Sequence, residues 1–248
     1  MSLSDDQLQR YGKHLILPGI GEEGQRRLLR ARVFIVGAGG LGSAVGYYLT
    51  AAGVGTIVVV DDDSVELGNL QRQIAHSRRK IGQPKVYSAK DTFESLNSDV
   101  AVIPIRHRLS IENIHELLNG YDIIVDCSDN FPTRFVINDF CVLTGRTLVT
   151  GAVSRFEGQV MVVTSEGPCY RCIFEEPPKP DVAPQEEGIL GAVPGVIGSL
   201  QAIEALKLIL GIGEVLKGHI LIYDALKASF RKVAAPKNPG CPACGTRR

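Results

Sequence analysis

The chain of 248 residues lacks an excess of either charge: 27 Lys and Arg balance 27 Asp and Glu. No whole-molecule field draws in nucleic acid or an anionic membrane, so neither is expected as a partner. There is no run of 18 or more uninterrupted apolar residues, and no bilayer span is expected. The N-terminus, Met1-Ser-Leu-Ser-Asp-Asp6, is acidic with no apolar stretch behind it, so it is not read as a signal peptide. No internal repeat occurs, which argues against a solenoid. The five histidines, His14, His76, His107, His115 and His219, show no metal-ligand spacing and are taken as structural or exposed. What remains is an ordinary balance of 44% hydrophobic and 22% charged residues, the composition of a soluble globular protein. The expected compartment is the cytoplasm.

The stretch around which the chain is organised is Val33-Phe-Ile-Val-Gly-Ala-Gly-Gly-Leu-Gly42. Four apolar residues without polar alternation read as a buried parallel strand. Gly37, Gly39 and Gly42 follow at the spacing G-x-G-x-x-G, which permits a tight turn and close approach of backbone to a phosphate at a helix start. A second apolar run, 56–60, ends at Asp61, nineteen positions after Gly42, where an acid is placed to hold a ribose hydroxyl. A nucleotide site is the expectation; the rival is a bare strand-to-helix turn.

Along the chain, residues 4–30 read as helical, with Ser4 as a cap, a break at Pro18-Gly19 and a second helix over 21–31. Strands are expected at 33–37, 56–60, 100–105, 121–125 and 147–150, with helices at 40–52, 84–97, 111–118 and 131–143 between them. That alternation is the signature of a doubly wound α/β sheet. Residues 160–163 are expected to pair antiparallel near the sheet edge. The stretch 175–187 is rich in Pro and acid and is expected to be a mobile surface loop. An apolar segment over 190–210 reads as a core helix, and strands at 220–223 and 228–232 precede a cysteine-bearing tail over 235–248.

Ligands of open α/β sheets sit beyond the carboxyl ends of the strands. Asp61, the loop Asn69-Leu-Gln-Arg-Gln73 and Ser128-Asp129-Asn130 fall there. Arg72 offers a planar fork suited to phosphate oxygens, Lys85 adds a compact positive charge, and Asp129 is an oxygen ligand of the kind Mg²⁺ takes beside a substrate phosphate. Together they suit phosphoryl or nucleotidyl transfer, whereas hydride transfer needs none of them. Taken singly, Asn69 and Asn130 can serve as turn caps, Asp126 can orient a loop, and Arg78-Arg79-Lys80 reads as a solvated patch. The six cysteines include two C-x-x-C pairs, Cys169/Cys172 and Cys241/Cys244. Four thiolates match structural zinc, with a redox dithiol as the rival. Cys127 and Cys141 stand in apolar surroundings and read as core.

These motifs in combination resemble the MoeB/ThiF/HesA family, bacterial and archaeal relatives of ubiquitin-activating enzymes. The resemblance rests on Arg10-Tyr11, Gly37-Ala-Gly-Gly-Leu-Gly42, Asp61-Asp-Asp63, Asn69-Leu-Gln-Arg-Gln73, Pro84-Lys85, Asp126-Cys-Ser-Asp-Asn130, Gly158-Gln159, both cysteine pairs and the segment 195–207. It covers nearly the whole chain and implies one adenylation domain over 1–248. It implies a Rossmann-like doubly wound sheet, mostly parallel, with antiparallel strands toward the C-terminal end, two N-terminal helices and a zinc site made by the four paired cysteines.

The implied reaction is ATP- and Mg²⁺-dependent adenylation of the C-terminal Gly-Gly carboxylate of a small ubiquitin-like sulfur-carrier protein, with release of pyrophosphate. Carried over by motif, Gly37, Gly39, Gly40, Gln73 and Asn130 approach the nucleotide, and Asp61 holds the ribose. Asn69, Arg72 and Lys85 contact phosphates, and Asp129 binds magnesium. A homodimer is implied, in which a basic residue near the N-terminus reaches the partner's terminal phosphate.

Two departures stand out. The family's N-terminal arginine appears here as Lys13, which keeps the charge but loses the bidentate fork. Many relatives carry a cysteine just before the segment matching 187–190, and here no cysteine lies between Cys172 and Cys241. The expectation is adenylation without a covalent thioester, with sulfur arriving from a separate sulfurtransferase. A carrier serving molybdopterin, thiamine, cysteine or tRNA thiolation fits equally. The alternatives are a tRNA-directed adenylating dehydratase, an NAD-dependent oxidoreductase and a nucleotide-binding scaffold without activity.

Overall fold

A computed structural model describes residues 2–176 and 188–245. Its framework is one eight-stranded sheet of order 3-2-1-4-5-6-7-8. Strands β1 (Arg32–Val36), β2 (Thr56–Val60), β3 (Ala101–Ile105), β4 (Ile123–Asp126) and β5 (Thr147–Ser154) run parallel. Strands β6 (Glu157–Val163), β7 (His219–Asp224) and β8 (Ser229–Ala234) extend the sheet antiparallel. β1 is the topological switch point, with β2 on one side and β4 on the other. A crevice opens there at the carboxyl ends of the strands.

Helices cover both faces. α3 (Gly21–Arg30), α4 (Gly40–Ala52), α5 (Lys85–Leu96) and α8 (Ala192–Leu210) share one apolar cluster with the sheet, built around Leu28, Val45, Leu49, Phe93 and Ile197. α6 (Ile114–Leu118) and α7 (Phe131–Thr144) close the other face over Phe34, Ile124, Ile137 and Leu148. The central strands are buried on both faces, which is why β1 and β2 read as unbroken apolar runs. Among the described residues α8 alone is long and apolar enough to cross a membrane, and half of it is buried within the fold.

Three expectations are corrected. The N-terminal stretch is not one helix before Pro18 but two short ones, α1 (Asp5–Arg10) and α2 (Gly12–Leu15), so three helical segments precede β1. Ser4 caps α1 in a reciprocal capping box with Gln7. The break falls at Tyr11, whose buried hydroxyl accepts a hydrogen bond from Asn97 Nδ2 at 2.9 Å; a tertiary contact interrupts the local pattern. β5 continues past 150 to Ser154, because residues 151–154 pair with β6 although their sequence is not strongly apolar. β6 is antiparallel as expected but lies inside the sheet, with β7 and β8 beyond it. Of the expected loop at 175–187, residues 177–187 lie outside the described residues.

Candidate active site

A cleft of about 460 Å³ lies across the tips of β3, β2, β1, β4 and β5. Its floor is the glycine turn. Gly37 has φ +97°, and a Cβ there would stand 2.7 Å from Cys127 O. A Cβ at Gly42 would fall 1.9 Å from Gly37 O. The fold itself requires both glycines. Gly39 differs: its added Cβ would meet only Gln73 Nε2, at 3.7 Å. It presents bare backbone to the cleft at the N-cap of α4, where unsatisfied N–H groups and the helix dipole favour an anion. Gly40 also lines the cleft, close to Pro194 at the start of α8.

The turn is braced from below. His76 Nε2 lies 2.8 Å from Ala38 O and His76 Nδ1 lies 2.9 Å from Ser88 Oγ. A carbonyl only accepts, so Nε2 carries the proton. Burial lowers the pKa of this imidazole and keeps it neutral.

At the tip of β2, Asp61 Oδ2 accepts the Ala38 N–H at 2.7 Å and Oδ1 accepts the Asp63 N–H at 2.8 Å. Burial raises the Asp61 pKa, opposed by the Ala38 N–H and the charge of Lys85. Each carboxylate oxygen retains capacity for another donor, such as a ribose hydroxyl. Lys85, only 6% exposed, opens α5 and places Nζ 2.7 Å from Asp63 Oδ2. Arg72 is half-buried; Nη1 donates to Gly68 O at 3.2 Å, and no carboxylate among the described residues pairs with it. Gln73 is buried, and its Oε1 has no hydrogen-bond partner among the described residues. An orphaned acceptor beside an open glycine fits a bound group carrying hydroxyl, amino or water donors.

At the tip of β4, Asp126 is fully buried and accepts from Ser128 N (3.0 Å), Ser128 Oγ (2.6 Å) and Thr150 Oγ1 (2.9 Å). It orients the loop, as read from the sequence. Asn130 caps α7 by accepting the Thr133 N–H at 3.0 Å, and its Nδ2 lies 3.3 Å from Asp129 Oδ1. Asp129 is exposed at the cleft, a hard oxygen donor open to a divalent cation.

Of the residues read from sequence, Gly37, Gly39, Gly40, Asp61, Arg72, Gln73, Lys85, Asp129 and Asn130 are brought together around this cleft. Asn69 and Lys13 are not among its lining. Asn69 Oδ1 accepts the Glu66 N–H at 3.2 Å, a local turn bond. Lys13 is exposed on α2, which is tied to the far end of α4: Gln25 bridges His14 to Ala52 O, and Asn97 bridges Tyr11 to Thr50 O. From Gly40 to Ala52 the helix rises about 18 Å, farther than a lysine side chain reaches. The sequence reading missed His107 and Arg108 after β3, Arg134 on α7, and Arg155, which lines the cleft from a β5–β6 turn at φ 51°. Arg134 had one available signal. It lies four residues after the capping Asn130, and helix side chains lean toward the N-terminus, here toward the cleft.

The four cysteines Cys169, Cys172, Cys241 and Cys244 converge, with sulfurs within 4.8 Å of one another. The separations are 3.5 Å for Cys169–Cys241, 3.3 Å for Cys172–Cys244 and 4.0 Å for Cys169–Cys172. Tetrahedral Zn–S bonds of about 2.3 Å require about 3.8 Å between sulfurs, so the donor set fits zinc. The Asn238 N–H lies 3.4 Å from Cys172 Sγ, a supporting contact. The cluster joins the segment after β6 to the tail after β8. Tyr170 N–H donates to Asn138 Oδ1 and Arg171 pairs with Asp139, which fixes the same segment to α7.

The chain is 49% identical to the SAMP-activating enzyme E1 of Haloferax volcanii over 247 residues, covering 99% of this chain and 92% of that protein. It is 50% identical to the sulfur carrier protein adenylyltransferase of Thermus thermophilus over 253 residues, covering 99% and 93%. Among longer relatives, the adenylyltransferase and sulfurtransferase MOCS3-1 of Zea mays is 49% identical over 249 residues, 98% of this chain but 53% of that protein. The fold matches the crystal structure of E. coli MccB with a TM-score of 0.84 at 22% identity, over 99% of this chain and 75% of that one. The ThiF family model matches residues 11–243, and with cleft, glycine turn and near-full-length relatives in agreement, the chain belongs to the ThiF family.

Proposed function

We propose that this protein is a cytoplasmic adenylyltransferase that activates the C-terminal Gly-Gly carboxylate of a small ubiquitin-like sulfur-carrier protein with ATP. The observation that carries the reading is the cleft at the switch point, where Asp61, Gly39, Arg72, Lys85 and Asp129 face one space. Two relatives of about 50% identity, matched over more than nine-tenths of their length, are named for carrier activation and support it.

A carboxylate oxygen attacks the α-phosphorus, the bond to the pyrophosphate breaks, and pyrophosphate leaves with its electron pair. Both reactants are anionic, so the barrier is largely electrostatic. Arg72 and Lys85 offset the polyphosphate charge, and the bare backbone at Gly39 lets it approach the α4 N-terminus. Asp61 orients the ribose. Magnesium, held by Asp129, supplies further charge neutralisation when bound.

Lys13 serves the partner's site in a homodimer, because its own cleft lies beyond its reach. Zinc at the four cysteines is structural. Sulfur comes from a separate sulfurtransferase directly onto the acyl-adenylate, since the remaining thiols, Cys127 and Cys141, are buried and burial raises their pKa, that of Cys141 to about 12.

The test is ATP–pyrophosphate exchange with a panel of small Gly-Gly-ending proteins. Carrier-dependent exchange is expected with at least one. NAD binding without exchange from any of them would overturn the proposal.

A further inference from the structure

We infer that Arg134 is a catalytic residue whose guanidinium binds an anionic oxygen at the reacting centre of the cleft. The inference rests on the adenylation reading and names a contact that reading leaves out. Arg134 is 6% exposed on the first turn of α7 and lines the cleft. One nitrogen, Nη2, donates to Ser128 O at 2.8 Å. The buried Nε has no hydrogen-bond partner, and no carboxylate forms an ion pair with the group among the described residues. The cation lies 5.6 Å from the Phe131 ring centroid. The buried carboxylate of β4, Asp126, makes no ion pair with it and is already engaged by Ser128 and Thr150.

A buried cation without a counter-charge is costly to the fold. Holding one carbonyl and facing the neutral Tyr170 hydroxyl needs only a neutral donor, whereas a guanidinium brings five N–H groups and a full charge. The missing partner is an anion that enters the cleft.

Sheet order says which one. Asp61 marks the ribose end at β2 and the glycine turn follows at β1. Arg134 stands beyond them at the tip of β4, beside Asp129 and the N-terminus of α7. That position, past the nucleoside and before the β5–β6 turn, is where the α-phosphate meets the incoming carboxylate. Both present anionic oxygens, and charge grows on the phosphoryl oxygens as the new bond forms. Fixed donors there act on the transition state without reorganisation.

The experiment uses the full-length protein with ATP, magnesium and the carrier that supports exchange, comparing wild type with Arg134→Met and Arg134→Lys. Methionine keeps an unbranched apolar stem against Phe131, and lysine keeps the charge but loses the fork. Exchange is expected to fall about a hundredfold in Arg134→Met and about tenfold in Arg134→Lys, while both melt near the wild type. A rise confined to KM for ATP identifies the α-phosphate, a rise confined to KM for the carrier identifies the carboxylate, and a fall in kcat identifies oxygens engaged only in the transition state.

Exchange within about threefold of wild type in both variants overturns the inference, as does failure of both to fold. If Arg134→Met alone is unfolded, the lysine variant decides by the same criteria. Wild-type silence with every carrier counts against the adenylation reading instead. AMP binding by calorimetry then tests the arginine alone: lost affinity in the variants supports it, and equal affinity removes it.

Discussion

Lys85→Met separates catalysis from stability because the two effects differ in size. Lys85 is electrostatically misplaced as a structural residue. It is the first residue of α5, a helix with no side-chain cap and no acid in its first turn, so its charge faces the positive end of the helix dipole, at a cost of about 0.3–1 kcal/mol. Its ion pair with Asp63 recovers little. The lysine side chain is 7% exposed but the aspartate is 64% exposed, and such half-solvated pairs contribute about 0.2–1 kcal/mol. The two terms offset, and methionine preserves the packing of the stem. The melting temperature is therefore expected to move by no more than about 4 °C.

Against the polyphosphate the charge has no substitute. Loss of one preorganised transition-state donor costs about 2.7–4 kcal/mol, or 10²–10³ in rate. Pyrophosphate exchange and thermal melting on the same preparation check both numbers. A variant that melts far lower yet exchanges at the wild-type rate per folded molecule would show that Lys85 is a structural ion-pair partner and has no part in catalysis.

The remaining predictions concern pH, metal, covalency and subunit contribution. Burial raises the Asp61 pKa, so the acid limb of kcat/KM for ATP is expected above the ordinary carboxylate range, and Lys85→Met, which removes a charge that opposes the rise, is expected to move it higher. The same shift makes Asp61 favour the folded state below its ordinary pKa, an advantage lost as pH rises through the folded-state value; a limb at or below the ordinary range contradicts this. Metal analysis is expected to find one zinc per chain, and chelation or Cys172→Ser to lower the melting temperature by about 5 °C or more; metal-free protein of undiminished stability removes the zinc assignment. Mass spectrometry of denatured, unreduced reactions with carrier and ATP is expected to show no carrier-linked cysteine, and a stable adduct would restore a covalent step. Lys13→Ala and Arg72→Ala, each inactive alone, are expected to regain about a quarter of wild-type activity when subunits are randomly mixed, because half the dimers then hold one intact site of two; no recovery would return Lys13 to its own chain or to no role.

The parts of the fold legible in sequence are those where local pattern and tertiary demand coincide. α4 and β2 fall at 40–52 and 56–60 as read, since a buried parallel strand must be apolar on both faces and a glycine turn must follow it. Both cysteine pairs were legible because thiolates at C-x-x-C spacing have few other uses. The errors arise where a distant residue decides. Tyr11 breaks the first helix because its hydroxyl reaches Asn97, 86 positions away, and residues 151–154 extend β5 because β6 pairs with them. The site divides the same way. Asp61 and the glycines are fixed by strand ends, while Arg134 reads as an ordinary exposed helix residue until burial and a missing counter-charge single it out. Asn69 belongs to a suggestive loop and lies outside the lining of the cleft, its Oδ1 accepting the Glu66 N–H.

Zero net charge conceals a separation of charge. Away from the cleft, several cations pair with acids of their own surroundings: Arg26 with Glu22 and Glu23, Lys80 with Asp91, Lys90 with Glu94, Arg171 with Asp139, and Lys217 with Glu166. Across the cleft the signs are sorted by strand order instead. Three acids, Asp61, Asp62 and Asp63, gather at the β2 tip, Lys85 lines the cleft paired with Asp63, Arg72 lines it without a carboxylate partner among the described residues, Asp129 and Arg134 flank the β4 tip, and Arg155 lines the β5 side. A uniformly positive cleft would hold any polyanion. Hydroxyl-accepting acids at one end, phosphate-matching cations next, and a carboxylate beside an unpaired guanidinium beyond them ask for a particular sequence of groups: sugar, polyphosphate with its cation, then a second anion. A dinucleotide satisfies the first two demands but leaves the unpaired guanidinium without a partner, and an acyl carboxylate meeting ATP satisfies all three.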